Sequence, residues 1–263
     1  MKRYATAVPV INQMIMRNVS PNLCAHTIVD DSDITESDMY SGTIIMEHCG
    51  STLYSWINQN KDKGIKIEQI KEILFQLTYS LFALNDAGIY HGDMHLCNVC
   101  IMDNDSDEYN VFEWGKLYKI SNRICPVIID FTRSLYYMDM YRNPSMAIDN
   151  LKKILERMNI KLAPMSIDAI ISFMPVADLY KIYSSIHGAA VRINKLSPSN
   201  EYIEIIEFTD TLRQISKQYI RAVTKKKDLD RDSLILDIQK CFQSLEIQES
   251  EQTGVINVFN MPR

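Results

Sequence analysis

From residue 67 to 87 the apolar side chains Ile70, Ile73, Leu74, Leu77, Leu81 and Leu84 recur at spacings of three and four. That stripe predicts a helix with one buried face, stopped by Gly88. Upstream, "STLYSW" at 51 to 56 opens another helix behind a Ser/Thr cap. "AVPVINQMIMRNV" at 7 to 19 is apolar at roughly helical spacing and is read as a helix, whereas "SPNLCAHTIV" and "SGTIIMEHC" read as strands around the acidic loop "DDSDITESD". Beyond Gly88 comes the polar stretch "HGDMHLCN", then the strand-like "VCIM". A polar segment follows before "ICPVIIDF", a near-continuous apolar run with the pattern of a buried strand that ends in a carboxylate. Helical periodicity dominates afterwards, at 145 to 158, 166 to 187, 201 to 224 and 230 to 246, and the remainder to 263 reads as a tail. The fold class is therefore α+β, a small β-containing start on a mainly helical body.

Composition narrows the partners. The chain has 263 residues, 46% hydrophobic and 23% charged, long enough to bury a substantial core. A net charge of −5 argues against nucleic acid held by bulk electrostatics. No run of about 18 apolar residues occurs, so no membrane span is expected. Residues 1 to 20 do not read as a secretory signal, and the six cysteines lie in or beside apolar runs, which favours free thiols in an intracellular, cytoplasmic setting.

The chemistry concentrates in "HGDMHLCN" and "IIDF". Asp93 and Asn98 lie five residues apart in a loop, and Asp130 arrives on a separate strand. An amide and a carboxylate, Asn98 and Asp130, suit Mg²⁺, which takes a few protein oxygens and lets phosphates supply the rest. Asp93 is then left to accept a proton. Simpler readings stand beside these. Asp and Asn in loops commonly bond their own backbone. His95 is more readily a backbone-bonded histidine than a phosphate ligand. Cys97 and Cys100 form one CxxC without a second pair at zinc spacing, which favours packing.

These motifs resemble the protein-kinase-like superfamily, with a catalytic loop His-x-Asp-x-x-x-x-Asn and a metal-binding Asp-Phe-Gly. Here they read "HGDMHLCN" and "DFT", and "IIMEHCGSTL" is similar to the family's strand, gatekeeper and hinge. The resemblance covers roughly residues 1 to 160. It implies Asp93 as catalytic base and Asn98 and Asp130 on Mg²⁺. It also implies Met46 as gatekeeper, backbone groups of Glu47 and Cys49 on the adenine of ATP, and Val99 and Ile101 beneath the base. His95 gives an HGDxH form, more like aminoglycoside phosphotransferases and other atypical kinases. "PVIIDFTRSLY", preceded by "YNVFEWGKLYKI", is similar to kinase-like proteins of large DNA viruses, which carry an insertion before this motif and would make host cytoplasm or virion the location. Asp149, in "MAIDNLKKIL", is the candidate for the buried aspartate that ties down the family's catalytic loop.

The departures are as informative. No glycine precedes Gly42 and no Asp or Glu precedes Asp30, so the glycine-rich loop and the glutamate that pairs with the strand lysine are absent from these residues. Gly92 stands where an arginine is usual, and Thr132 replaces the glycine of Asp-Phe-Gly. The expected organisation is a remnant N-lobe over 1–50 (helix, two strands, hinge), a helical C-lobe over 51–246 with an insertion at 104–127 that includes a strand pair, and a tail over 247–263. An ATP- and Mg²⁺-dependent phosphotransferase on Ser/Thr hydroxyls fits, weak alone and needing a protein substrate or an N-lobe-supplying partner. A pseudokinase scaffold and a small-molecule kinase of the aminoglycoside or choline type also fit.

Overall fold

The computed structural model describes residues 11–18, 40–46, 48–103, 109–136, 145, 167–224, 230–247 and 257–260. The chain divides into two compact units, Val8–Cys49 and the chain from Gly50 onward. In the first, β1 (Ile11–Asn18) pairs antiparallel with β2 (Tyr40–Met46), setting Ile15 opposite Thr43 and Met16 opposite Gly42. The helix expected over 7 to 19 is thus a strand across Ile11–Asn18. Ile11, Met14 and Ile15 satisfy a helical spacing, but so short an apolar run fits either element, and the backbone partners offered by β2 decide it. The strand expected at 20 to 29 lies outside the described residues.

The second unit begins with β3 (Ser51–Thr52), the edge of a three-stranded antiparallel sheet ordered β3, β5 (Val99–Asp103), β8 (Ile124–Ile128). Gly50, just before it, has φ +79°, and a Cβ there would meet the Ile101 carbonyl oxygen at 2.0 Å, so only glycine fits so close to β5. Helix α1 (Leu53–Asn60) follows, capped by Thr52, whose hydroxyl accepts from the Ser55 N–H at 3.2 Å. Helix α2 (Ile67–Asp86) buries Ile70, Ile73, Leu74, Leu77 and Leu81 almost completely and ends before Gly88, at φ +77°. Its buried Gln76 donates to the Ile124 carbonyl at 2.9 Å and fastens the helix to β8.

Among the described residues three further helices follow: α3 (Ile167–Leu196), α4 (Asn200–Thr224) and α5 (Arg231–Cys241). Val176, Leu179, Ile182, Tyr183 and Ile186 of α3 are buried, and the Tyr183 hydroxyl lies 2.7 Å from that of Thr78 on α2. The segment 145 to 158, expected as a helix, lies outside the described residues except for Ser145.

Between β5 and β8 the chain forms a hairpin, β6 (Tyr109–Trp114) and β7 (Lys116–Ser121), turning at Gly115 with φ +68°. Its aromatic face docks on α2. The Phe75 ring lies 5.6 Å from Phe112, 6.0 Å from Trp114, 4.6 Å from Tyr118 and 5.4 Å from Phe242. Losing one such buried ring costs about 3–5 kcal/mol. Gln239 of α5 donates to the Trp114 carbonyl at 2.6 Å, so helix and hairpin are tied. The residues expected as a tail do more than trail away: Ile247 N–H donates to the Leu117 carbonyl at 2.8 Å, and β10 (Asn257–Asn260) pairs parallel with β6. The fold is α+β, as the periodicity implied. None of the five described cysteines is in a disulfide. Among the described residues no helix is long and apolar enough to cross a membrane.

Candidate functional site

Two strand pairings bring the polar motifs together. The loop 91–98 runs from β4 (Ile89–Tyr90) to β5, and the loop 129–134 runs from β8 to β9 (Leu135–Tyr136). β4 pairs with β9 and β5 with β8, so each end of one loop is held against an end of the other. Cross-loop bonds complete the closure. Ile129 N–H donates to the Asn98 carbonyl at 3.0 Å, and His91 Nε2 lies 2.9 Å from the Ile129 carbonyl. His91 Nδ1 accepts from the Asp93 N–H at 3.3 Å, a pair of bonds that fits an imidazole with its proton on Nε2. The His91 ring also meets Phe131 edge-on at 5.0 Å, and Ser134 Oγ donates to the His91 carbonyl.

Within this frame Asn98 is buried, and its amide nitrogen donates to the Asp93 carbonyl at 3.0 Å. That bond leaves its oxygen as the atom with acceptor character for a cation. Asp130 is exposed and left-handed, at φ 61° and ψ 72°, and its Oδ1 accepts from Thr132 Oγ1 at 2.5 Å and from Thr132 N–H at 3.3 Å. The Thr132 hydroxyl bond, opposed by burial and seconded by the Thr132 N–H, holds the Asp130 carboxyl below its ordinary value of 3.8. It is therefore ionised at neutral pH.

The Asp93 carboxylate is half-buried and faces two cations, Arg133 and Lys181, and the His95 ring. Arg133 lies 3.5 Å away, Lys181 of α3 3.8 Å, and His95 Nε2 3.8 Å. His95 also accepts from the Cys97 N–H through Nδ1 at 3.2 Å, the backbone bond that the simpler reading of this residue anticipates. Of the hinge candidates, Met46 ends β2, Glu47 lies outside the described residues, and Cys49 is buried. Val99 and Ile101 sit in β5 at 0% and 2% exposure, packed into the core, so a base lying on them requires that packing to open. Cys97 is exposed and Cys100 buried; among the described residues no group of three or more His, Cys, Asp or Glu could hold a metal by itself.

The fastening of the loop was not found in the sequence. Asp149 lies outside the described residues, and the carboxylate that holds the loop is Asp178 of α3, 1% exposed. It accepts from His91 N–H at 2.9 Å and from Gly92 N–H at 3.1 and 3.2 Å. Burial pushes the Asp178 carboxyl up from 3.8, opposed by His91, the Gly92 N–H and Lys181. A sequence signal existed: Asp178 is a lone acid between Val176, Ala177 and Leu179, all with no exposed surface. A charge in such a run needs buried partners.

No family model matches the chain. It is 25% identical over 96 residues to homeodomain-interacting protein kinase 2 of Mus musculus, a match covering 36% of this chain and 8% of that protein. Homeodomain-interacting protein kinase 1 of Mus musculus matches at 26%, with the same two coverages. The Caenorhabditis elegans homeodomain-interacting protein kinase 1 matches at 28%, over 36% of this chain and 11% of its own length. Over that third of its length the chain is similar to protein kinases. It spans only about a tenth of the relatives it matches.

Proposed function

We propose that the chain is an ATP- and Mg²⁺-dependent phosphotransferase to an alcohol group, of the Ser/Thr protein-kinase kind. The observation that carries the reading is the closure of the 91–98 and 129–134 loops by the Ile129–Asn98 bond, which supports a single site for Asp93, Asn98 and Asp130. The donor chemistry fits Mg²⁺. An ionised Asp130 and the Asn98 oxygen offer hard oxygen ligands, few enough that water and nucleotide phosphates complete the shell. Bound there, Mg²⁺ would neutralise charge on the phosphates. Asp93 orients the acceptor hydroxyl and takes its proton, and Asn98 and Asp130 would hold the metal. Val99 and Ile101 would meet the adenine once their packing opens.

Phosphoryl transfer depends on positioning and charge stabilisation, and the residues here include no glycine-rich loop with its lysine. We therefore expect slow transfer by this chain alone and faster transfer with a polypeptide that carries those elements. The first test is thermal: ATP with Mg²⁺ raises the melting temperature, ATP without metal does not, and Asp130→Asn removes the difference. The second is transfer of labelled phosphate to a generic Ser/Thr substrate, alone and with the added polypeptide, in wild type and Asp93→Ala. Transfer that survives Asp93→Ala removes the base from the mechanism. Nucleotide binding with no transfer in any arm favours the scaffold.

A further inference from the structure

Gly92 precedes the proposed base, has φ +76°, and as a glycine has no side chain to fix the two peptide planes that flank it. Both planes are nevertheless held, and by the same helix. The Gly92 N–H belongs to the plane shared with His91, and it donates to Asp178. The Gly92 carbonyl belongs to the plane shared with Asp93, and it accepts from Lys181 Nζ at 2.6 Å. Asp178 and Lys181 are three residues apart on α3, so they lie on one face a single turn apart. Lys181 is 15% exposed, and its ammonium also lies 3.8 Å from Asp93 Oδ1.

We propose that Lys181 is a positioning residue for Asp93. Asp178 fixes the 91–92 plane, and the next plane is held within the loop only by the 3.3 Å bond from the Asp93 N–H to His91 Nδ1. The shorter, charge-assisted bond from Lys181 secures the carbonyl side of that plane, and its charge draws Asp93 Oδ1 toward α3. Arg133 reaches Asp93 Oδ2 from the 129–134 loop, whereas Lys181 is the cation that reaches both Oδ1 and the Gly92 carbonyl and so couples the carboxylate to the backbone behind it. The role rests on the phosphotransferase reading: the hydroxyl oxygen bonds the γ-phosphorus, the bond to the β–γ bridging oxygen breaks with its electron pair leaving on ADP, and the proton passes to Asp93. Lys181 touches none of the reacting atoms and acts through the orientation of Asp93.

The test compares the full-length wild type, Lys181→Met and Lys181→Arg, with transfer measured under the conditions where wild type is active and backbone amide exchange measured at Gly92 and Asp93. Loss of a charged donor from the carbonyl corresponds to a fall in kcat of about tenfold to hundredfold in Lys181→Met. KM for ATP stays within about twofold, Lys181→Arg recovers most of the rate, and the two amides exchange at least about tenfold faster in Lys181→Met only. An active wild type with Lys181→Met equally fast overturns the proposal. So does a loss that Lys181→Arg fails to restore and that follows the melting temperature. If wild type neither transfers phosphate nor binds nucleotide, the phosphotransferase reading has failed, and exchange alone decides: unchanged protection in Lys181→Met overturns the clamp, and lost protection upholds it.

Discussion

Replacing Asp178 with alanine removes the acceptor of two backbone donors, the N–H groups of His91 and Gly92, both buried. Each donor left without a partner away from water costs about 1–3 kcal/mol, so the pair amounts to about 2–6 kcal/mol. Set against a total stability on the order of 5–15 kcal/mol, that is a large fraction from one loop-to-helix contact. Urea unfolding followed by tryptophan fluorescence reads it directly, since Trp56 and Trp114 are both buried. Asp178→Asn keeps one acceptor oxygen and loses less. The comparison of wild type with Asp178→Asn also has a pH signature. Because the folded state raises the Asp178 carboxyl above 3.8, its contribution is full below that pH and declines as pH rises through the folded value. The deficit of Asp178→Asn should therefore be greater near pH 4 than at pH 7. An Asp178→Ala variant within about 0.5 kcal/mol of wild type would refute the reasoning, because that is the range of an unremarkable surface change.

Two further outcomes follow from single polar atoms. The Tyr118 hydroxyl is buried with no hydrogen-bond partner among the described residues, and burial pushes its pKa up to about 12. Tyr118→Phe should thus stabilise by about 1 kcal/mol and raise the melting temperature by about 2–4 °C, and a lowered melting temperature would show that the hydroxyl has a partner. Thr132→Val removes the main cause of the depressed Asp130 carboxyl, so its titration midpoint, followed by carboxyl NMR, should rise toward 3.8. A depressed carboxyl stabilises above the unfolded value and loses that contribution as pH falls through the folded one, so the variant gives up a small part of its stability at neutral pH. An unmoved midpoint would show that the hydroxyl is not the cause and leave the shift to the residue-132 N–H, which valine keeps.

What could be read in the sequence was what local pattern determines. The stripe of α2 was legible because a helix repeats its buried face every turn, and the cap at Thr52 because one side chain and one N–H suffice. β8 was legible because a strand covered on both faces is apolar throughout. The loop residues Asp93 and Asn98 and the strand-end Asp130 were visible by type and order. Ile11–Asn18 was misread because its pairing partner lies across the acidic loop, beyond any window of periodicity. The apolar neighbours of Asp178 marked it as a buried acid without naming its partner, and Lys181 carried no such mark; only the arrival of the loop residues His91 and Gly92 gives the two their work.

The bond from Asp178 to His91 spans 87 residues of chain, and that distance has a consequence during synthesis. At about 5–20 residues per second, His91 waits roughly 4–17 s before Asp178 has even been joined to the nascent polypeptide. Until α3 arrives, the N–H groups of His91 and Gly92 and the Gly92 carbonyl lack the partners that hold them in the folded protein. A ribosome-bound chain therefore carries the loop residues well before it carries an ordered loop, so maturation of the site is a late step that shares its timing with docking of the long helix.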